Sequence, residues 1–197
     1  MNKYFCSSFI IFSGILFATC EKKPDEQVVL PETDKVKVHI SWNYRAIPLE
    51  MELYEPASQR PLKYWDTGIV NSAEKLPVSE KISGSEFYLK PGAKKLFVLA
   101  LRNNTDKPVY FFAAPHSVKP EEYGFGFKFK CLCINKAFMV NPGEYWYRAV
   151  ELKLAEEFKG ENIEINHTLI GITENRMKEL EKSSSEEHQA GALHDGF

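Results

Sequence analysis

Val36-Lys37-Val38-His39-Ile40-Ser41-Trp42 alternates apolar and polar side chains without a break, the period of two that marks a half-buried strand. The same reading extends in both directions along the chain. Leu49, Met51 and Leu53 continue the alternation, and Phe87 to Leu89 is a short strand turned by Pro91-Gly92. Leu96 to Leu101 is apolar at every position, as a central strand covered on both faces would be. Asn103-Asn104-Thr105-Asp106 makes a turn, and Val109 to Ala114 returns from it. Phe125, Phe127 and Phe129 alternate with Gly126 and Lys128 in a further strand. Asn141-Pro142-Gly143 then turns into Tyr145 to Leu154, and Ile163, Ile165, His167 and Leu169 form the last strand. The irregular stretch 56–84 reads as a long insertion or edge loop, and no helical pattern precedes Asn175. Short strands divided by turns predict an all-β fold, an immunoglobulin-like antiparallel β-sandwich, as a single domain over 35–173.

The chain has 197 residues and a net charge of −2, a balance that offers no electrostatic case for nucleic acid. Its first residues carry Lys3, then an apolar run from Phe5 to Phe17, then small residues before Cys20, the layout of a secretory signal over 1–19. Leu16-Phe17-Ala18-Thr19-Cys20 resembles a relaxed bacterial lipoprotein box, which makes Cys20 the expected lipid anchor; a plain secreted protein is the alternative. Residues 20–34, charged and containing Pro24 and Pro31, read as a tether. Residues 174–197 read as a polar flexible tail. The expected location is the cell envelope, as a membrane-anchored lipoprotein facing the periplasm or the outside.

Cys131-Leu132-Cys133 holds the only cysteines beyond the first twenty residues. In an extended strand, side chains two apart point the same way, so both sulfurs can converge on one ligand. Bonding to each other is less favourable, because Cα atoms two apart lie at roughly 6.5 Å, near the limit for an unstrained disulfide. Two thiolates beside Lys128 and Lys130 suit a soft ion, Cu(I) first and Zn(II) second. The competing reading is a pair of small buried hydrophobes. Met139 is a candidate third soft ligand, against a role in the core. His167 reads as a packed, hydrogen-bonded core histidine, His116 as a loop residue, and His188 and His194 as part of the solvated tail. Leu132 and Ile134 break the Lys128 and Lys130 alternation. They are candidates for a dimer or docking surface on which two chains share a metal.

Jointly, the motifs from Pro91 to Glu144 resemble the CtaG family of copper-delivery assembly factors of cytochrome c oxidase. The matching elements, in order, are Pro91-Gly92, Leu96 to Arg102, Asn104-Thr105-Asp106-Lys107-Pro108, Val118-Lys119-Pro120, Phe125 to Phe129, Cys131-Leu132-Cys133-Ile134 and Pro142-Gly143-Glu144. The resemblance implies Cu(I) ligands at Cys131 and Cys133 and delivery of the ion to an oxidase subunit. Leu132 and Ile134 stand where that family has phenylalanines, and a lipid replaces its transmembrane anchor. No nucleophile–base pair and no phosphate loop are visible, so the chain reads as a carrier and not an enzyme. Two other classes stay open: a metal-free envelope binding lipoprotein, and a thiol–disulfide protein using Cys131 and Cys133.

Overall fold

The structure, a computed structural model, describes residues 34–132, 136–180 and 182. Strand β1 (Val36–Arg45) buries Val36, Val38 and Ile40 on one face, as its alternation requires. Downstream come β2 (Glu52–Pro56), β3 (Thr67–Val70), β4 (Val78–Lys81), β5 (Glu86–Leu89) and β6 (Lys94–Arg102). The chain continues with β7 (Val109–Ala113), β8 (Ser117–Lys119), β9 (Phe127–Lys130), β10 (Phe138–Val140), β11 (Tyr145–Leu154) and β12 (Asn162–Ile172). Two sheets result. One runs β10-β7-β12-β1-β5 with β8 also on β12; the other runs β3-β11-β6-β2-β4 with β9 also on β11. Packed together, they form an all-β sandwich.

Between the sheets, Phe97, Leu99 and Leu101 of β6 meet Trp146, Val150, Leu152 and Leu154 of β11 and the inner residues of β1 and β12. Trp146 lies edge-on to Phe111 (5.5 Å between centroids) and to Phe138 (4.9 Å), the arrangement aromatic quadrupoles favour. Strand β6 is buried on both faces, because Val98 and Ala100 pack outward against Tyr147 and Leu76 in a second, smaller cluster. The two turns of the sequence reading meet at Asn103, which is fully buried. Its Nδ2 donates to the carbonyls of Lys107 and Val140, and its Oδ1 accepts from the N–H and hydroxyl of Thr105. The Gly143 N–H donates to the Asn103 carbonyl, which ties the Pro142-Gly143-Glu144 turn to the Asn103 turn.

Four expectations are corrected. Ladders among the described strands are antiparallel except one: β1 runs parallel to β12, with Ile40 abreast of Ile165 and Trp42 abreast of His167. The 56–84 stretch is no mere loop. It supplies β3 and β4, which add strands to the second sheet beside β11 and β2. Their exposure hid them, since edge strands of four residues need no clean alternation. Phe125 does not belong to the aromatic strand. A one-turn helix at Glu121–Tyr123 and a Gly126 N–H to Tyr123 carbonyl bond fold the chain there, leaving Phe125 fully exposed. A side chain at position 126 would meet the Phe158 ring at 2.7 Å, so glycine is required at that crossing. Last, residues 174–180 begin the polar tail as a short helix, capped by the Thr173 hydroxyl and laced by Lys178–Glu174 and Arg176–Glu179 pairs.

Candidate metal centre

Strand β9 lies against β11 with Phe129 opposite Leu152 and Lys130 opposite Glu151, so the next inward position falls to Cys131. The ladder ends at Lys130 and the chain bends, which buries both Cys131 (4% exposed) and Leu132 (0%). Leu132 joins the main core, and its side chain is therefore spent inside the molecule, not on a docking surface. Ile134 and Cys133 lie outside the described residues, as does Cys20.

On the facing sheet a bulge aims a histidine inward. Ala113 pairs with Leu169, and the Ala114 N–H donates to the Thr168 carbonyl, continuing the ladder of β7 on β12. The ladder resumes in β8 with Ser117 opposite Asn166. Two residues, Pro115 and His116, thus stand opposite the single residue His167. Pro115 has no N–H to give to the ladder, and an extra residue at a strand junction turns the neighbouring side chain. His116 comes to rest tilted on His167, with ring centroids 5.3 Å apart. His167 is itself fully buried on the inner face of β12, in step with Ile163, Ile165 and Leu169. Trp42 stacks on it at 5.2 Å and 24°, and Phe129 meets it edge-on at 5.3 Å.

His116, Cys131 and His167 therefore converge between the sheets, with one ligand atom from each lying within 4.8 Å of the others. Cys131 Sγ is 3.8 Å from His116 Nδ1. Metal–sulfur and metal–nitrogen bonds of about 2.3 and 2.0 Å put S and N about 3.5–3.7 Å apart around one ion. That contact already matches, and contraction by about 1 Å elsewhere would complete a three-coordinate set. Soft sulfur with two imidazoles suits copper or zinc and does not suit magnesium or calcium.

One further polar group adjoins the cluster through the Trp42 stack, and a second lies buried on the inner face of β11. Trp42 Nε1 is buried with no hydrogen-bond partner among the described residues. Arg148, 4% exposed, projects from the inner face of β11 between Trp146 and Val150, with its guanidinium 5.7 Å from the Phe138 ring centre. Burial pushes the Arg148 guanidinium below its ordinary range, and an ionised Cys131 sulfur opposes that shift. Met139 stays apart. It sits half-buried on β10 between Phe138 and Val140, whose side chains enter the core, so alternation sends Met139 to the outer face.

Of the expected ligands, then, Cys131 is at the cluster and Met139 is not. The sequence reading set His116 and His167 aside. One signal marked His167, a titratable residue in a periodic inward set of Ile163, Ile165 and Leu169. His116 carried no such mark, because a bulge set by a partner strand is not a local pattern.

Residues 36–172 match the family model described as Domain of unknown function (DUF8709). The chain belongs to this family. Its matched span begins at the first residue of β1 and ends at the last of β12, so the DUF8709 domain is the whole sandwich, with both histidines and Cys131 inside it. No curated protein matches the chain. Among the described residues of this DUF8709 member, no helix is long and apolar enough to cross a membrane.

Proposed function

We propose that this DUF8709 protein binds Cu(I) at a centre built on Cys131 and carries it to a copper centre of cytochrome oxidase, as a lipid-anchored protein of the cell envelope. The observation that carries the reading is the convergence of His116, Cys131 and His167 in the sandwich interior. A thiol just past β9 and two imidazoles, one at the β7–β8 junction and one on β12, held by a bulge and a ring stack, make a donor set selective for soft ions. Cys133 supplies a second thiolate in this scheme, and Cys20 the anchor. The ordered resemblance from Pro91 to Glu144 supports the oxidase as recipient.

The ion is cargo in this scheme, and the residues hold and release it. Thiolate and imidazole donors bind Cu(I) tightly yet exchange it through shared three-coordinate states, so transfer needs no dissociated ion. His116, half-buried on its bulge, is the donor best placed to yield to an incoming ligand, whereas His167 is locked between Trp42 and Phe129.

Cu(I) titration of the reduced protein against a colorimetric chelator tests the reading. Wild type should take up about one copper per chain. Cys131→Ser should lose tight binding, and His116→Ala and His167→Ala should each weaken it by at least about ten- to a hundredfold, the loss that removal of even an outer-shell partner of a ligand causes. Unchanged copper stoichiometry in Cys131→Ser would refute it.

A further inference from the structure

We propose that the outer face of the second sheet, from β9 across β11 to β6, docks on an anionic lipid surface, with Lys128, Lys153 and Lys94 meeting the headgroups and Trp65 and Phe125 entering the interface. The proposal stands apart from the metal reading. Lys153 of β11 lies abreast of Lys128 on β9 and of Lys94 on β6, so three ammonium groups follow one another across three adjacent strands. All three side chains are exposed. Like charges placed directly opposite each other destabilise a sheet. One carboxylate relieves the row: Glu151, abreast of Lys130 and Leu96, reaches Lys94 at 3.3 Å and Lys130 at 3.6 Å. The two rows therefore carry four lysines and one carboxylate, and Lys128 and Lys153 have no ion-pair partner among the described residues.

Aromatic side chains stand at both ends of the lysine row. Phe125, fully exposed, lines one cleft together with Phe127, Lys128 and Lys153. A second cleft joins Lys94 to Leu62, Lys63, Tyr64 and Leu96. The Tyr64 ring lies 3.7 Å from the Lys130 ammonium and edge-on to Trp65 at 5.4 Å. Trp65 is 49% exposed and holds a φ of 73°, a left-handed conformation unfavourable to a bulky side chain. Its N–H donates to the Ala149 carbonyl at 2.7 Å, and the Ala149 N–H donates to the Asp66 carbonyl at 2.8 Å, which pins the strained backbone while the indole stays exposed. The remaining acids sit at the margins. Asp66 accepts from the Lys63 N–H within its own loop, and Glu156 and Glu157 line the Phe125 cleft from beyond the end of β11. A protein partner fits this face less well, because lysine is depleted from protein interfaces and the two aromatic ends are separated by lysines. Lipid suits both parts: an anionic surface attracts the ammonium groups, and aromatic rings seat at the boundary of headgroup and acyl chain.

Co-sedimentation of the whole chain with vesicles of phosphatidylglycerol and phosphatidylcholine, beside phosphatidylcholine alone, tests the proposal. The variants are Lys128→Ser with Lys153→Ser, Phe125→Ser and Trp65→Phe. Residues 1–34 are common to all of them, so their contribution cancels in the comparison. The double serine variant removes a repulsion and should keep its fold, with circular dichroism as the check. One lysine near an anionic surface is worth roughly fivefold in affinity. Wild type should favour the anionic vesicles, and the double variant should bind them about twentyfold more weakly. That difference should vanish at about 1 M salt, where the Debye length is about 3 Å. Phe125→Ser should also bind more weakly, at low and high salt alike. Wild-type tryptophan emission should shift to the blue on anionic vesicles, and Trp65→Phe should abolish the shift. Equal affinity of wild type for the two vesicle types overturns the proposal, as does a double variant that keeps the preference or a blue shift that persists in Trp65→Phe. Lysine-dependent binding to polyglutamate without binding to vesicles overturns it in favour of an acidic protein partner.

Discussion

Asn103, Arg148 and His167 are buried polar residues in the sandwich, and their surroundings divide them by role. Asn103 makes hydrogen bonds with both ends of its amide and serves to join two turns. Asn103→Ala should lower unfolding free energy by about 2 kcal/mol, since it strands the buried Val140 carbonyl and releases the Thr105 turn; chemical denaturation measures it. His167 meets rings on both sides, so its chemistry is available to the cluster while its orientation is fixed. The Trp42 stack on His167 makes a reporter: Cu(I) loading should quench Trp42 fluorescence, and Trp42→Phe should remove that part of the quench while leaving copper stoichiometry intact. Gly171 shows a different limit. A Cβ there would sit 1.9 Å from the Ala46 carbonyl oxygen, a clash with backbone that no rotamer relieves. Gly171→Ala should therefore prevent folding or lower Tm steeply, as a thermal melt would show.

At the scale of elements, the junction of β7 and β8 controls the site. Deleting Pro115 makes the ladder opposite His167 regular, so the chain should fold with near-native circular dichroism yet lose the affinity contributed by His116. If copper binding survives that deletion unchanged, His116 is not a donor. The junction also shows what a sequence can disclose. β1 and β12 were legible because strands of ten and eleven residues display their period over several repeats, and β6 because its apolar run is unbroken. β3, β8 and β10, at three or four residues, are too short to show one, and are strands only because a longer neighbour offers its edge. The parallel pairing of β1 with β12 joins the two ends of the domain, a choice made by whole-sheet packing. The site divides in the same way. Cys131 was visible as chemistry and as parity, while His116 and His167 meet through register, across half a hundred residues and two ladders.

For the molecule as a whole, charge pairs on the outer face of the second sheet set the response to pH. Tyr54 donates to Glu52 at 2.6 Å, and Glu52 also pairs with Lys81. Burial, the hydrogen bond to Glu52 and that carboxylate's charge push the Tyr54 phenol up to about 12. Its folded-state value lies above the ordinary one of 10.0, so the stability it contributes is complete below pH 10 and is lost as pH rises toward about 12. Burial raises the Glu52 carboxyl, but the bonds from Lys81 and Tyr54 outweigh it and the net shift is downward. Glu52 therefore stabilises above its ordinary value of 4.5, and that contribution fades as pH falls through its lower folded-state value. Absorbance titration at 295 nm should show one phenol ionising near pH 12 in wild type and lower in Glu52→Gln. The placement of the three donors has a last consequence. His116 and His167 belong to one sheet and Cys131 follows a strand of the other, so an ion among them is a rivet through both layers. Whatever free energy the ion releases on binding is added to the free energy of keeping the layers together. Loaded molecules would then outlast empty ones against proteases, and the standing population of the protein would record how much cargo the cell has to move.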